Sequence, residues 1–427
     1  MMERRTFLVG SAMALPMMGA NDKVNVAVVG VGGRGSAHVR EYLGIPNAHI
    51  GALCDVNTAA TERNEQVVVK SQADKPKIYQ DLRKLYEDKD IDAVSIATPN
   101  HWHALATIWA CQAGKDVYVE KPASYNVFEG QQMVKAARKY NRVVQVGMQS
   151  RSIPYKRRAM ELLRDGAIGK IYYAKGLCFK RRPSIGHAAD EPVPAGVNWD
   201  IFLGPAPMRP FNTLRFKYNW HWFWDTGNGD IGNQGIHEMD VARWGLGRGL
   251  PKGVVSTGGK YVYDDDQETP NTQIATFDYG DAELVFEVRG LTTGGEASIE
   301  AGGPNFIGNI FLGSTGYLSL DHKGFQVYTG DKREPGETGK LGDGRAETKD
   351  HMQNFLDAVK SRRKEDLHGE VAEGVMSAEL VHMANTSYRL GRKLTFDPSK
   401  DRYVNDAEAN AMLTRPVYRE PYNPAKV

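Results

Sequence analysis

From Lys23 to Ser150, short apolar runs alternate with stretches in which apolar residues recur every three or four positions. Val24 to Val29, His49 to Cys54, Ala93 to Ala97, Asp116 to Val119 and Val143 to Val146 have the length and composition of buried strands. Ser36 to Leu43 has helical spacing and stops before Pro46, and a second helix is expected from about Ala104. Strands alternating with helices predict a doubly wound parallel sheet. Further on the pattern changes. Val254 to Tyr263, Thr272 to Tyr279 and Ala282 to Val288 alternate apolar and polar residues, as antiparallel strands with one covered face do, and Gly290 to Gly308 is a glycine-rich excursion. Asp350 to Val359 and Gly374 to Tyr388 return to helical spacing, and Asn405 to Val427 has the composition of a surface tail. The predicted organisation is a leader over 1–20, a nucleotide-binding α/β domain over 21–150, a second α/β domain over 151–400 and a tail over 401–427.

With 427 residues, 41% hydrophobic and 25% charged, the chain is long enough for two cores. Lys and Arg number 54 against 52 Asp and Glu, which leaves no excess charge for a nucleic-acid backbone. Cys54, Cys111 and Cys178 are odd in number and lack metal-ligand spacing, so they read as small core residues and no metal is expected. Arg4-Arg5-Thr6-Phe7-Leu8, the apolar stretch Val9 to Met18 and the pair Gly19-Ala20 have the layout of a twin-arginine signal. The stretch is short for a membrane span and contains Pro16, so the expectation is export of a folded, cofactor-loaded protein, periplasmic and not membrane-inserted after cleavage.

The turn after the first strand, Gly30-Val31-Gly32-Gly33-Arg34-Gly35, supplies G-x-G-x-x-G between a strand and a helix. Gly30 permits the tight turn, Gly32 permits close approach of a pyrophosphate, and Gly35 permits close helix packing. Gly33 and Arg34 complete the loop at the helix N-terminus, where phosphates bind. Asp55 ends the second strand, twenty residues beyond Gly35, placed to accept hydrogen bonds from the adenosine ribose and to repel a 2′-phosphate. NAD is therefore the expected cofactor. Later strands open into Thr98-Pro99-Asn100-His101-Trp102-His103, Glu120-Lys121-Pro122 and Gly147-Met148-Gln149-Ser150, all on the ligand-binding edge of such a sheet.

These motifs, Glu120-Lys121-Pro122 above all, resemble the Gfo/Idh/MocA family of glucose-fructose oxidoreductase and inositol dehydrogenase. Asn228 to Trp244 resembles the family's second motif and Ala378 to Pro398 its C-terminal helix and return strand, so the resemblance covers nearly all of Lys23 to Pro398. It implies a C-terminal α/β domain with an open, mainly antiparallel sheet, a cleft between the domains, and a homo-oligomer, dimer or tetramer. It further implies that Lys121 contacts nicotinamide and substrate, that Pro122 follows a cis peptide, that Thr98 belongs to the cofactor site, that Asn100 and His103 line the nicotinamide ribose, and that Glu120 and Gln149 fix the nicotinamide end. An ammonium at Lys121 would stabilise a developing alkoxide. For His101 a packed role is preferred.

Many relatives carry Asp four residues before the motif's His, whereas this chain has Asn233 before His237, with Asp240 a further three residues along. Asn cannot take a proton, so the acid-base role is expected of His237, with Asn233 hydrogen-bonding the substrate and Asp230 as a reserve carboxylate or a helix N-cap. The run Tyr218-Asn219-Trp220-His221-Trp222-Phe223-Trp224 offers flat faces for a sugar ring, Tyr218 and Trp222 in particular, or else a core plug. Arg181-Arg182-Pro183 and His187 form a further loop, read as a solvated face ahead of a substrate contact.

Export constrains the reaction, because free NAD is not supplied outside the cytoplasm and the dinucleotide must be held and regenerated in place. The first expectation is an oxidoreductase acting on a secondary hydroxyl of a sugar, glycoside or polyol. The second is a redox-neutral glycoside hydrolase, similar to the family's glycosidase branch, in which C3 oxidation permits elimination across C1–C2, water addition and re-reduction. A non-catalytic sugar sensor is the third.

Overall fold

A computed structural model describes residues 23–291, 305–340, 342 and 347–425; the proposed leader and most of the glycine-rich excursion lie outside them. Six parallel strands form the first sheet: β1 (Val24–Val29), β2 (Ala48–Cys54), β3 (Lys77–Tyr79), β4 (Ala93–Ile96), β5 (Asp116–Val119) and β6 (Val144–Val146). Their order, β3-β2-β1-β4-β5-β6, reverses between β1 and β4, so the turns after these two strands face one crevice. β3 is a three-residue, largely exposed edge strand without an apolar signal in the sequence. The helix after β4 begins at Asn100, a turn earlier than its apolar spacing suggests, and Asn100, His101 and His103 are buried in that first turn.

The second sheet has ten strands among the described residues: β7 (Ile171–Lys180), β8 (Gly253–Gly259), β9 (Thr272–Asp278), β10 (Glu283–Arg289), β11 (Asn305–Gly313), β12 (Gly316–Asp321), β13 (Gly324–Thr329), β14 (Glu334–Lys340), β15 (Leu394–Asp397) and β16 (Arg402–Tyr403). Their order is β14-β13-β12-β11-β7-β10-β9-β8-β15-β16, antiparallel except where β7 pairs with β10. β8 stops at Gly259, short of Tyr263, because the Asn271 side chain accepts from the Tyr261 N–H at 3.1 Å and donates to the Tyr261 carbonyl at 2.8 Å, replacing the ladder.

Helices Gly235–Leu246 and Val371–Leu390 pack against this sheet, and Val371–Leu390 also packs on the helix Val127–Lys139 of the first domain. Glu347–Ser361 covers the first sheet, with Met352, Phe355 and Leu356 beside Val26, Val28 and Tyr118. The two domains therefore share continuous apolar packing. The tail is fastened rather than loose. Tyr422 is buried among Trp102 and Trp109, Arg419 donates to Asp200 Oδ1 at 2.8 Å and to the Gly204 carbonyl at 2.9 Å, and the Arg415 guanidinium lies over the Tyr125 ring at 3.7 Å. All three cysteines are buried free thiols, raised in pKa by that burial. No helix among the described residues is long and apolar enough to cross a membrane.

Candidate active site

The turn after β1 can be built only with glycine at two positions. Gly30 has φ +83°, and a Cβ there would lie 2.8 Å from the Ala97 carbonyl carbon; a Cβ on Gly35 would lie 2.0 Å from the Gly30 carbonyl oxygen. The resulting loop forms the floor of a cleft of about 640 Å³, with Gly32, Gly33 and Arg34 at its edge and Asp55 at the end of β2 beside it. The Asp55 carboxylate accepts from the Asn57 N–H at 2.9 Å, and burial pushes its pKa up to about 6. The cleft continues past Thr98, Asn100 and His103 to Lys121, Asn233 and Tyr218. Thr98 Oγ1 is buried in its wall without a hydrogen-bond partner among the described residues, as expected of a group that meets a polar ligand. The glycine cradle and this orphaned hydroxyl fit a dinucleotide.

Glu120 gathers the strand ends. Its Oε1 accepts from Arg34 Nε at 2.9 Å and Gln149 Nε2 at 3.0 Å and lies 3.0 Å from His38 Nε2, while Oε2 accepts from the Lys121 N–H at 3.2 Å. Burial opposes this charge, but Arg34 and His38 outweigh it and hold the carboxyl well below its ordinary range. The Lys121–Pro122 peptide is cis. Lys121 Nζ donates to the Asn233 carbonyl at 2.8 Å, and burial lowers its pKa against the pull of Glu120. The nitrogens of His103 face the Pro122 carbonyl at 2.7 Å and the Thr98 carbonyl at 2.8 Å, which ties the ring to the two turns it joins. Asn100 Nδ2 donates to Asn228 Oδ1 at 3.1 Å. His101 is packed, with Nε2 at 2.8 Å from the Phe202 carbonyl.

The second motif is two helices rather than one. Gly229–Asn233 and Gly235–Leu246 are separated by Gln234 alone, which keeps helical dihedrals; Asn233 lines the first cleft and His237 a second cavity. Asn233 lines the dinucleotide cleft, where its Nδ2 donates to Tyr218 Oη at 2.9 Å. Asp230 is not an N-cap; it is buried and takes two hydrogen bonds from Arg182, at 2.6 and 3.1 Å. Arg182 Nη1 also donates to Tyr218 Oη at 3.1 Å, so this arginine organises the site instead of solvating a surface. Tyr218, Trp220 and His221 line the cleft, whereas Trp222 is buried behind it with the Arg182 guanidinium 5.5 Å from its ring. Asp240 is taken by Arg151 at 2.8 Å.

Beyond Lys121 lies a second cavity of about 620 Å³, which Arg34, Glu120 and Gln149 also line and which reaches His237, Glu238 and Lys156. Burial and the Lys121 ammonium push His237 down to about 3, leaving a neutral imidazole. Glu238 and Lys156 are not among the site residues expected from the sequence, although Glu238 lies inside the Asn228 to Trp244 motif, directly after His237.

Two family models match the chain: an oxidoreductase family's NAD-binding Rossmann fold over residues 24–148, and the C-terminal alpha/beta domain of the same family over 177–276 and 321–424. The chain belongs to the Gfo/Idh/MocA oxidoreductase family. As a Gfo/Idh/MocA oxidoreductase it binds NAD, and the glycine turn lies within the residues that the Rossmann model matches. Among curated relatives it is 32% identical over 159 residues to glycosyl hydrolase family 109 protein 1 of Shewanella sp. (strain ANA-3), and 31% identical over 159 residues to an alpha-N-acetylgalactosaminidase of Shewanella oneidensis. Each match spans 36% of this chain and 34% of the relative's length. Among solved structures, the WlbA dehydrogenase of Bordetella pertussis with NADH and UDP-GlcNAcA shares the fold at TM-score 0.65 and 19% identity over 88% of this chain and 99% of its own. Levoglucosan dehydrogenase with NADH and levoglucosan does so at TM-score 0.67 and 20% identity, over 88% and 99%.

Proposed function

We propose that this Gfo/Idh/MocA oxidoreductase oxidises a secondary hydroxyl of a sugar, glycoside or polyol, and that it works as an exported, periplasmic protein holding its dinucleotide between turnovers. The observation that carries the reading is the place of Lys121, whose side chain borders both the dinucleotide cleft and the second cavity. NAD supplies the hydride acceptor. The Lys121 ammonium would donate to the alcohol oxygen and stabilise the negative charge that grows there as the C–H bond breaks. His237, neutral and bordering the second cavity, would take the hydroxyl proton. Tyr218 and Asn233 would hold neighbouring hydroxyls, with Arg182 and Asp230 fixing their positions. Export rests on the twin-arginine pattern of Arg4 and Arg5. Self-association is supported by exposed Val255 and Ile274 on the second sheet.

A second reading, the redox-neutral glycoside hydrolase, is favoured by the glycosyl hydrolase family 109 relatives. In it a C3 ketone acidifies the C2 proton, His237 removes that proton, the C1 substituent leaves, water adds and C3 is reduced again. Incubating purified protein, without added NAD, with free sugars and glycosides while following nicotinamide absorbance and released aglycone tests both. Absorbance change without aglycone supports the first; sustained aglycone release without net reduction supports the second.

A further inference from the structure

The second cavity holds a carboxyl group that alcohol oxidation does not use. Glu238 is 6% exposed and lines the cavity beside His237, at the start of the helix Gly235–Leu246. Its Oε2 is buried without a hydrogen-bond partner among the described residues, an arrangement that costs stability unless a ligand completes it. The backbone behind it is fixed, since Asn309 Nδ2, from β11, donates to the Glu238 carbonyl at 2.7 Å. Lys156, from the helix Pro154–Arg164, lines the same cavity and donates to Ser150 Oγ at 3.1 Å.

We propose that Glu238 is a general acid in the second cavity, giving its carboxyl proton to a departing C1 oxygen while His237 takes the C2 proton. This rests on the redox-neutral reading above. Oxidation of an alcohol requires one proton acceptor, whereas elimination requires an acceptor and a donor, and this wall carries both on consecutive residues. Burial pushes Glu238 up to about 8, against the pull of Lys156 and of Lys180, while burial and Lys121 push His237 down to about 3. At neutral pH the carboxyl therefore carries its proton and the imidazole does not, the separation that marks an acid-base pair.

The step balances with the groups present. The C2–H bond breaks and its proton goes to the imidazole; the electron pair forms C1=C2, conjugated with the C3 carbonyl that the family's oxidation creates. The C1–O bond breaks and the leaving oxygen takes the Glu238 proton. The carboxylate left behind, near Lys156 and Lys180, then removes a proton from water as its oxygen adds to C1, and C2 recovers its proton from His237.

Glu238→Gln keeps the shape and cannot give that proton. With methyl glycosides, whose alkoxide leaving group needs a proton, aglycone release read in the first turnover, before water adds, should fall about 10²- to 10⁴-fold. With nitrophenyl glycosides, whose phenolate leaves without one, the loss should be on the order of tenfold or less, and Glu238→Asp should recover part of the methyl glycoside rate. Independently of turnover, the infrared difference spectrum of wild type minus Glu238→Gln should contain a protonated-carboxyl band at neutral pH that disappears as pH rises through about 8. Equal losses with both leaving groups, no recovery in Glu238→Asp, or no protonated carboxyl at neutral pH would overturn the role of Glu238 alone. Reduction of bound nicotinamide by glycosides with no aglycone released by wild type would overturn the redox-neutral reading and this role with it.

Discussion

Asp55 should cost the cofactor-free protein stability. Its carboxyl is raised, chiefly by burial, from 3.8 to about 6. In the window between these values the folded protein holds a proton that the unfolded chain has released, so the contribution of this group to stability declines as pH rises through it. Above about 6 the carboxylate is ionised in both states, and the displacement corresponds to a penalty of ~3 kcal/mol. Asp55→Asn removes the charge and keeps an oxygen for the Asn57 N–H, but its NH₂ group cannot replace the second acceptor oxygen. The expected gain at neutral pH is therefore about 1–3 kcal/mol, shrinking towards zero near pH 4, where both states of the wild type approach protonation. In the same variant NAD should bind about 10- to 150-fold more weakly, because two ribose hydroxyls lose a charged acceptor. Urea unfolding of stripped protein at the two pH values measures the first effect and calorimetry with NAD the second. Destabilisation by Asp55→Asn at neutral pH, or an equal gain at both pH values, would refute the reasoning.

Lys121→Ala should retain the fold and NAD binding while slowing reduction of bound nicotinamide by about 10²-fold or more in single-turnover mixing with substrate. Gly35→Ala places a methyl group against the Gly30 carbonyl and should weaken NAD binding, by calorimetry, about tenfold or more, since the obstacle is backbone. Arg182→Ala strands the buried Asp230 carboxylate and should cost about 3–5 kcal/mol in urea unfolding, much of it recovered in the Arg182→Ala, Asp230→Asn double variant.

The nucleotide half of the fold was legible because each strand, turn and helix there carries a local signal. Gly30 and Gly35 are dictated by contacts within a few residues or across one strand, and Asp55 sits at a strand end that its apolar run marks. What was not legible depends on partners distant in the chain. Tyr422 is buried only because Trp102 and Trp109 meet it, and Arg182 became part of the site only once Asp230 and Tyr218 were brought beside it. Spacing alone put Asn233 and His237 on one helical face. They line different cavities all the same, because which cavity each meets is set by side chains from distant parts of the chain, such as Tyr218 beside Asn233 and Lys156 in the cavity of His237. Glu238 is distinguished by a buried carboxyl oxygen without a partner among the described residues, a property that a sequence does not display.

In the proposed reaction a sugar carbinol carbon gives its hydrogen to the dinucleotide, with Lys121 beside the reacting oxygen. The direct measurement uses glycosides and sugars deuterated at every carbinol carbon, mixed with the NAD-loaded protein in a single turnover, with mass spectrometry of the recovered nicotinamide. Deuterium is expected on the nicotinamide ring of wild type, with its arrival slowed in Lys121→Ala. Turnover of the substrate without deuterium on the ring, or deuterium arriving as fast in Lys121→Ala as in wild type, would contradict the proposed reaction.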